Sequence, residues 1–66
     1  QETLKLIYAS LAKLPQNARQ AFILNRAKGM TYPVIAKQMG VSVSSVEKYI
    51  LVSLKHLRRV VESSKQ

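Results

Sequence analysis

The polar side chains best suited to bind another molecule lie in one short stretch, residues 42–48. This stretch supplies three hydroxyl groups, a carboxylate and an ammonium group, from Ser42, Ser44, Ser45, Glu47 and Lys48. A hydroxyl group can donate to or accept from a base edge or a phosphate, and an ammonium group reaches a phosphate oxygen or the acceptor pair of a guanine. The residue types in this stretch therefore suit contact with a nucleic acid.

The chain offers little for catalysis or metal binding. It has no cysteine, three acidic residues and one histidine, His56, without a cluster of further ligands around it. A chain of 66 residues buries only about 60% of its unfolded surface, which leaves little room for an internal pocket. We predict no catalytic residue, metal ligand, cofactor or small-molecule substrate, and a solvated or half-buried His56.

The sequence also argues against a membrane span. Its longest apolar run, residues 21–24, is far shorter than the roughly 20 residues that cross a bilayer. The absence of cysteine fits a reducing compartment. We expect a soluble, cytoplasmic protein without direct membrane insertion. Because the chain starts at Gln1, we also expect residues 1–66 to form one domain excised from a longer protein.

Basic residues give the chain a formal net charge of +8, and 47% of its residues are hydrophobic. This apolar content is too high for a disordered basic tail, so the chain should fold. A basic surface favours binding to phosphates, which release counterions when they are neutralised. The charge is nevertheless spread along the chain, with five cations and one anion in residues 1–30 and six cations and two anions in residues 31–66.

Apolar residues recur at intervals of three and four, which predicts helices throughout. The first predicted helix spans residues 3–13 and ends before Pro15, and the second spans residues 16–28 and ends at Gly29. The apolar residues of the first are Leu4, Ile7, Tyr8 and Leu11, and those of the second are Ala18, Ala21, Phe22 and Leu24. We predict that both sets face a common core.

Two further helices are predicted on either side of Gly40. The third spans residues 32–39, with Thr31 as its cap, and contributes Ile35, Ala36 and Met39 to the core. The fourth starts near Ser42 and places its apolar residues on one face: Val43, Val46, Ile50, Leu54, Leu57 and Val61. The fold class is therefore all-α, a small four-helix domain.

The spacing of Ala36, Gly40 and Val46 is that of a helix-turn-helix. A small residue at 36 lets the two helices pack closely, a glycine at 40 can adopt positive φ, and Val46 fills the corner. Ser42 can accept a hydrogen bond from the amide of residue 44 or 45. In such a pair the second helix enters the major groove of DNA with its first residues at the bases. We predict that Ile35, Ala36, Gly40, Val46 and Ile50 build this motif, without a wing.

The same pattern leaves other interpretations open. Short helices joined by a glycine occur in any helical bundle, and a solvated surface is the more frequent role of a single lysine. The domain could be the output domain of a response regulator, or a protein-docking module in which Leu54, Leu57, Val60 and Val61 form a strip for a partner helix.

Three phrases, "LPQNARQAFIL", "GMTYPVIAKQMGVSVSSVEKYI" and "SLKHLR", resemble region 4 of sigma-70 family transcription factors. Within that family the phrase "SSVEKYILVSLKH" is most similar to extracytoplasmic-function sigma factors of the iron-transport, ferric-citrate type. The resemblance covers nearly the whole chain. It implies a bacterial, non-enzymatic domain that recognises the minus 35 promoter element in transcription initiation.

The resemblance also implies partners and site residues. The partners would be double-stranded promoter DNA, the flap of core RNA polymerase, and an anti-sigma factor with a membrane-spanning segment. Many relatives have an acidic residue where Pro33-Val34 stands here, and a threonine in place of Ser45. The DNA contacts predicted for this chain are Thr31, Tyr32, Ser42, Val43, Ser44, Ser45, Glu47, Lys48 and Lys55.

Overall fold

Four helices form the part of the chain that the computed structural model describes, which is the backbone of residues 2–64 and the side chains of Lys5 and residues 8–63. The helices are α1 (Glu2–Leu11), α2 (Gln16–Arg26), α3 (Tyr32–Met39) and α4 (Val43–Ser64). Within residues 2–64 there is no strand, which confirms the all-α prediction. The bounds of α3 are those predicted, whereas α1 and α2 each end two residues earlier than predicted.

In the connection between α1 and α2, the backbone forms three-residue hydrogen-bonded turns before Pro15. The amides of Lys13 and Leu14 donate to the carbonyls of Ser10 and Leu11, three residues back, at 3.0 and 3.1 Å. Because a proline disfavours helical backbone in the residue before it, α1 cannot continue through Leu14. These three-residue bonds replace the four-residue bonds of an α-helix from Lys13 onward, so α1 ends at Leu11 and the predicted end at residue 13 is wrong.

The connection between α2 and α3 depends on Gly29, which has a φ of 66° as its place after α2 predicts. The amide of Met30 donates to the carbonyl of Leu24 at 3.1 Å. The Asn25 side chain donates in turn to the carbonyl of Met30 at 2.9 Å. These bonds close the end of α2 before residue 28 and direct the chain into α3.

The core divides into two clusters that share Phe22. The larger lies among α2, α3 and α4, and the smaller lies where α1 and its connection meet the C-terminal half of α4. The buried members of the larger cluster are Ala21, Leu24, Ile35, Ala36, Val46 and Ile50. Those of the smaller cluster are Leu11, Leu14 and Leu57. Phe22 is half-buried and packs against both clusters, so it connects the packing of α3 and α4 to that of α1.

Three residues predicted for the core are on the surface instead. Tyr8 is 68% exposed, while Ser10 and Leu11 turn inward; Val43 and Leu54 are 40% and 39% exposed. Val43 and Leu54 lie about 60° and 80° around the helix axis from buried Val46, which is too far for the neighbouring helices to cover them fully. The apolar stripe of α4 is wider than the surface packed against it. The predicted stripe residues Leu4 and Ile7 lie outside the described side chains.

Shortening the fully buried Ile35 should destabilise the domain measurably. We expect Ile35→Val to lower the free energy of unfolding by about 1 kcal/mol, because it removes one methylene from a closed part of the core. The matched control is Val34→Ala on the same helix, where the side chain is 48% exposed and the change should stay within about 0.5 kcal/mol. Urea denaturation followed by circular dichroism measures both, and equal effects would contradict this packing.

Candidate nucleic-acid interface

A three-residue turn joins α3 to α4 and sets the angle between them. Gly40 adopts φ 71° and ψ 35°, a left-handed conformation, and its amide donates to Lys37 at 3.3 Å. The amide of Val41 donates to the carbonyl of Ala36 at 3.0 Å, which completes a Schellman motif. A Cβ atom at residue 40 would meet nothing within 4 Å, so the backbone conformation, and not space, requires the glycine.

The start of α4 is closed by the side chain of Ser42. The backbone amide of Ser45 donates to Ser42 Oγ at 3.1 Å, which is the N-cap that the sequence predicts. The hydroxyl of Ser42 donates in turn to Ser45 Oγ at 3.0 Å. Thr31 occupies the corresponding position before α3, but its side chain makes no capping hydrogen bond. Of the two predicted caps, only that of Ser42 forms through a side chain.

These hydrogen bonds separate the predicted DNA contacts into two groups. The hydroxyls of Ser42 and Ser45 are engaged with each other, and the ring of Tyr32 is half-buried against the larger core cluster. The second group is exposed and lies on the first four turns of α4 and at the residue before α3: Thr31, Val43, Ser44, Glu47, Lys48 and Lys55. The side chains of this second group make no hydrogen bond to one another, whereas Ser42, although exposed, already holds the start of the helix.

Ser44, Lys48 and Lys55 form a row along the outer surface of α4, opposite the buried residues. They follow one another at intervals of four and seven residues, which keeps them on one face of a helix. The described side chains provide no carboxylate partner for Lys48, Lys55 or Arg59, since the ion pair formed on α4 joins Arg58 to Glu62 at 3.7 Å. The cations of this row are therefore available to bind phosphates.

Two exposed residues on this surface were not among the predicted contacts. Leu51 is 53% exposed and Val52 is 45% exposed, and they lie on either side of the line through Lys48 and Lys55. The sequence carried a signal for them, because both fall outside the apolar spacing of the core face. A search for hydrogen-bonding side chains does not identify aliphatic residues on a solvated face.

The C-terminal half of α4 carries a different kind of surface. A shallow, mainly apolar depression is lined by Leu54, Leu57, Arg58, Val61 and Glu62. Leu57 is buried, and Val60 and Val61 are half-buried, so the predicted docking strip is partly core. Leu54 is its most accessible apolar member.

His56 is half-buried, and its Nε2 atom has no hydrogen-bond partner among the described residues. No group of three potential metal-binding side chains occurs in the part of the chain that the structure describes. None of the described helices is both long enough and apolar enough to cross a membrane.

Comparison with known proteins gives two findings. Residues 4–57 match the family described as Sigma-70, region 4. The chain is also similar to the ferric citrate uptake sigma factor FecI of Escherichia coli strain K12, with 44% identity over 55 residues. This alignment covers 83% of the chain and 32% of the relative, so the chain spans about a third of that protein. No solved structure matches the chain significantly.

Loss of the Ser42 hydroxyl should destabilise the domain, whereas loss of the neighbouring exposed hydroxyl should not. We expect Ser42→Ala to lower the free energy of unfolding by about 1 kcal/mol, because the amide of Ser45 loses its acceptor. Ser44→Ala removes the same group from an exposed position and should change stability by less than about 0.5 kcal/mol. Thermal and urea unfolding of the two variants would test this difference, and an unaltered Ser42→Ala would show that the cap does not stabilise α4.

Proposed function

This chain belongs to the sigma-70, region 4 family, as the DNA-binding region 4 of an extracytoplasmic-function sigma factor, and from that premise we propose that it reads the minus 35 promoter element. The first turns of α4 enter the major groove. The observation that carries this proposal is the exposed row of Ser44, Lys48 and Lys55 on a helix whose start is held by the turn at Gly40 and the cap at Ser42.

The dimensions of α4 suit the groove. An α-helix with its side chains is about 10–12 Å across, and the major groove of B-DNA is about 12 Å wide. In a helix-turn-helix the first residues of the second helix contact base edges. Ser44 and Lys48 then lie nearest the bases, and Lys55 lies about 10 Å further along the axis, where it binds a phosphate.

Each polar residue in the first turns of α4 has a distinct role. Lys48 donates to the paired acceptors of a guanine, and Ser44 donates to or accepts from a base or a phosphate. Glu47 accepts from the amino group of a cytosine. Ser42 and Ser45 act indirectly, because their hydroxyls hold the helix start in place.

The wider role follows from the family and from the relative. As region 4 of a cytoplasmic sigma factor, the domain directs RNA polymerase to promoters and is not itself an enzyme. Its protein partners are the flap of core polymerase and an anti-sigma factor with a membrane-spanning segment. The relative named for ferric citrate uptake supports a regulatory role in iron transport. The depression at Leu54 supports a protein contact beside the DNA contact.

Selection from a randomised duplex DNA library tests the proposed function directly. The 66-residue chain is incubated with the library at low salt, and the bound fraction is sequenced. A monomeric reader of the minus 35 element should enrich a short, non-palindromic motif. A palindromic motif would indicate a dimeric regulator, and no enrichment would overturn DNA reading by this chain.

Lys48 should contribute more to DNA binding than a cation elsewhere on the surface. We expect Lys48→Ala to weaken binding to the enriched duplex by about 1–3 kcal/mol, with a smaller loss on scrambled DNA, because a base contact is removed. Lys5→Ala, the same charge change on the exposed surface of α1, is the control and should have little effect. Fluorescence anisotropy titrations at several salt concentrations measure both.

A phosphate contact by Lys48 would give a different result. Lys48→Ala would then weaken enriched and scrambled duplexes equally, and the slope of log affinity against log salt would become shallower by about 0.9. Equal effects of Lys48→Ala and Lys5→Ala would contradict placement of the α4 start in the groove.

A further inference from the structure

Leu51 and Val52 are consecutive aliphatic residues on a surface of α4 that also carries Lys48 and Lys55. They are 53% and 45% exposed, and each is more than 100° around the helix from buried Val46. Lys48 precedes them and Lys55 follows them, on the line that runs between them. Neither residue belongs to the core clusters or to the described residues packed against them.

Their position along α4 places them beside the polar residues proposed to read DNA. Leu51 is one turn beyond Glu47 and two turns beyond Ser44, about 6 and 10 Å further along the helix axis. A base pair occupies about 3.4 Å of the DNA axis. If Ser44 and Lys48 are at base edges, Leu51 and Val52 therefore lie over the next base pairs and over the groove wall.

The major groove offers one apolar group to such side chains, the 5-methyl group of thymine. We infer that Leu51 and Val52 form an apolar contact with thymine methyl groups and thereby contribute to sequence specificity. This inference rests on the proposed function and adds to it a second mode of reading. The polar residues select bases through hydrogen bonds, and the aliphatic pair selects thymine over cytosine by burying a methyl group.

The charges around the pair favour this ligand over an apolar protein surface. Lys48, Lys55 and Arg59 lie along the same face of α4 as Leu51 and Val52, Glu47 is the one acidic residue within a turn of the pair, and the described side chains give the three cations no carboxylate partner. A polyanion covers all three cations at the same time as the two aliphatic side chains. An uncharged apolar partner would cover the aliphatic pair and exclude water from the neighbouring cations without offering them a negative charge.

A double-mutant cycle between protein and DNA tests the contact. The DNA variants replace thymine by deoxyuridine, one position at a time, in the duplex enriched by selection; this change removes only the methyl group. The protein variants are Leu51→Ala and Val52→Ala, and binding is measured by fluorescence anisotropy with the 66-residue chain at low salt. Burial of one methyl-sized group corresponds to about a fourfold change in affinity.

We expect deoxyuridine at one or two positions to weaken wild-type binding about three- to fivefold. Leu51→Ala or Val52→Ala should weaken binding to the thymine duplex by a similar factor and should have less than about a twofold effect on the matching deoxyuridine duplex. Leu54→Ala is the matched control: Leu54 is also exposed and on α4, but it lies about 60° around the helix from Leu51, toward the apolar depression. It should leave the methyl effect unchanged.

The possible failures can be told apart. If wild-type protein prefers the enriched duplex over a scrambled one but binds every deoxyuridine duplex equally well, the inference is wrong and the proposed function stands. The inference is also wrong if the alanine variants retain the full methyl effect. If wild-type protein does not distinguish the enriched from the scrambled duplex, both the proposed function and the inference fail. Circular dichroism melting of each variant excludes unfolding as the cause.

Discussion

The close approach of α4 to α2 and α3 is the constraint on which the rest of this domain depends. At the contact stand Ala21, Ala36 and Val46, which are at most 5% exposed. Because two of the three are alanines, their short side chains allow α2 and α3 to approach α4 closely at this point. Interiors are packed as densely as organic crystals, so a change in volume here would move α4 as a body. The outer surface of α4 is thus positioned by residues that cannot touch a ligand.

A buried hydroxyl adds a directional bond to this contact. Ser53 is fully buried, and its Oγ lies 3.0 Å from the carbonyl of Ala18 on α2 and 2.9 Å from the carbonyl of Tyr49 on its own helix. The turn at Gly40 fixes the start of α4, and Ser53 fixes a point about 15 Å further along. Two points of attachment determine both the direction and the axial position of a helix. Lys48 lies between them and is consequently held in register with the core.

The sequence predicted both ends of a helix correctly where a proline lies in the first turn and a glycine directly follows the last residue. It failed to predict which side chains are buried where burial depends on how much of a helix its neighbours cover. The bounds of α3 were predicted correctly, since Pro33 suits the first turn and Gly40 can take the left-handed conformation that ends a helix. Tyr8 and Leu54 were wrongly assigned to the core. Helical spacing shows which face of a helix a residue lies on, but not how much of that face the neighbouring helices cover. The sequence also could not predict the hydrogen bond from the Ser42 hydroxyl to Ser45 Oγ, because each hydroxyl could instead have faced solvent.

The distribution of charge leaves sequence discrimination to a small number of side chains. The ion pair on α4 joins residues that are 80% and 66% exposed, and such pairs contribute little to stability. On the proposed interface the basic residues serve mainly to attract phosphates, and that attraction is nearly independent of sequence. Recognition of one sequence over another then depends on the groups that contact base edges. These groups are few, because the hydroxyls of Ser42 and Ser45 already hold the start of α4. On the proposed interface, Ser44 and Lys48 distinguish bases by hydrogen bonding, and the inferred contact of Leu51 and Val52 adds an apolar criterion on the same helix face.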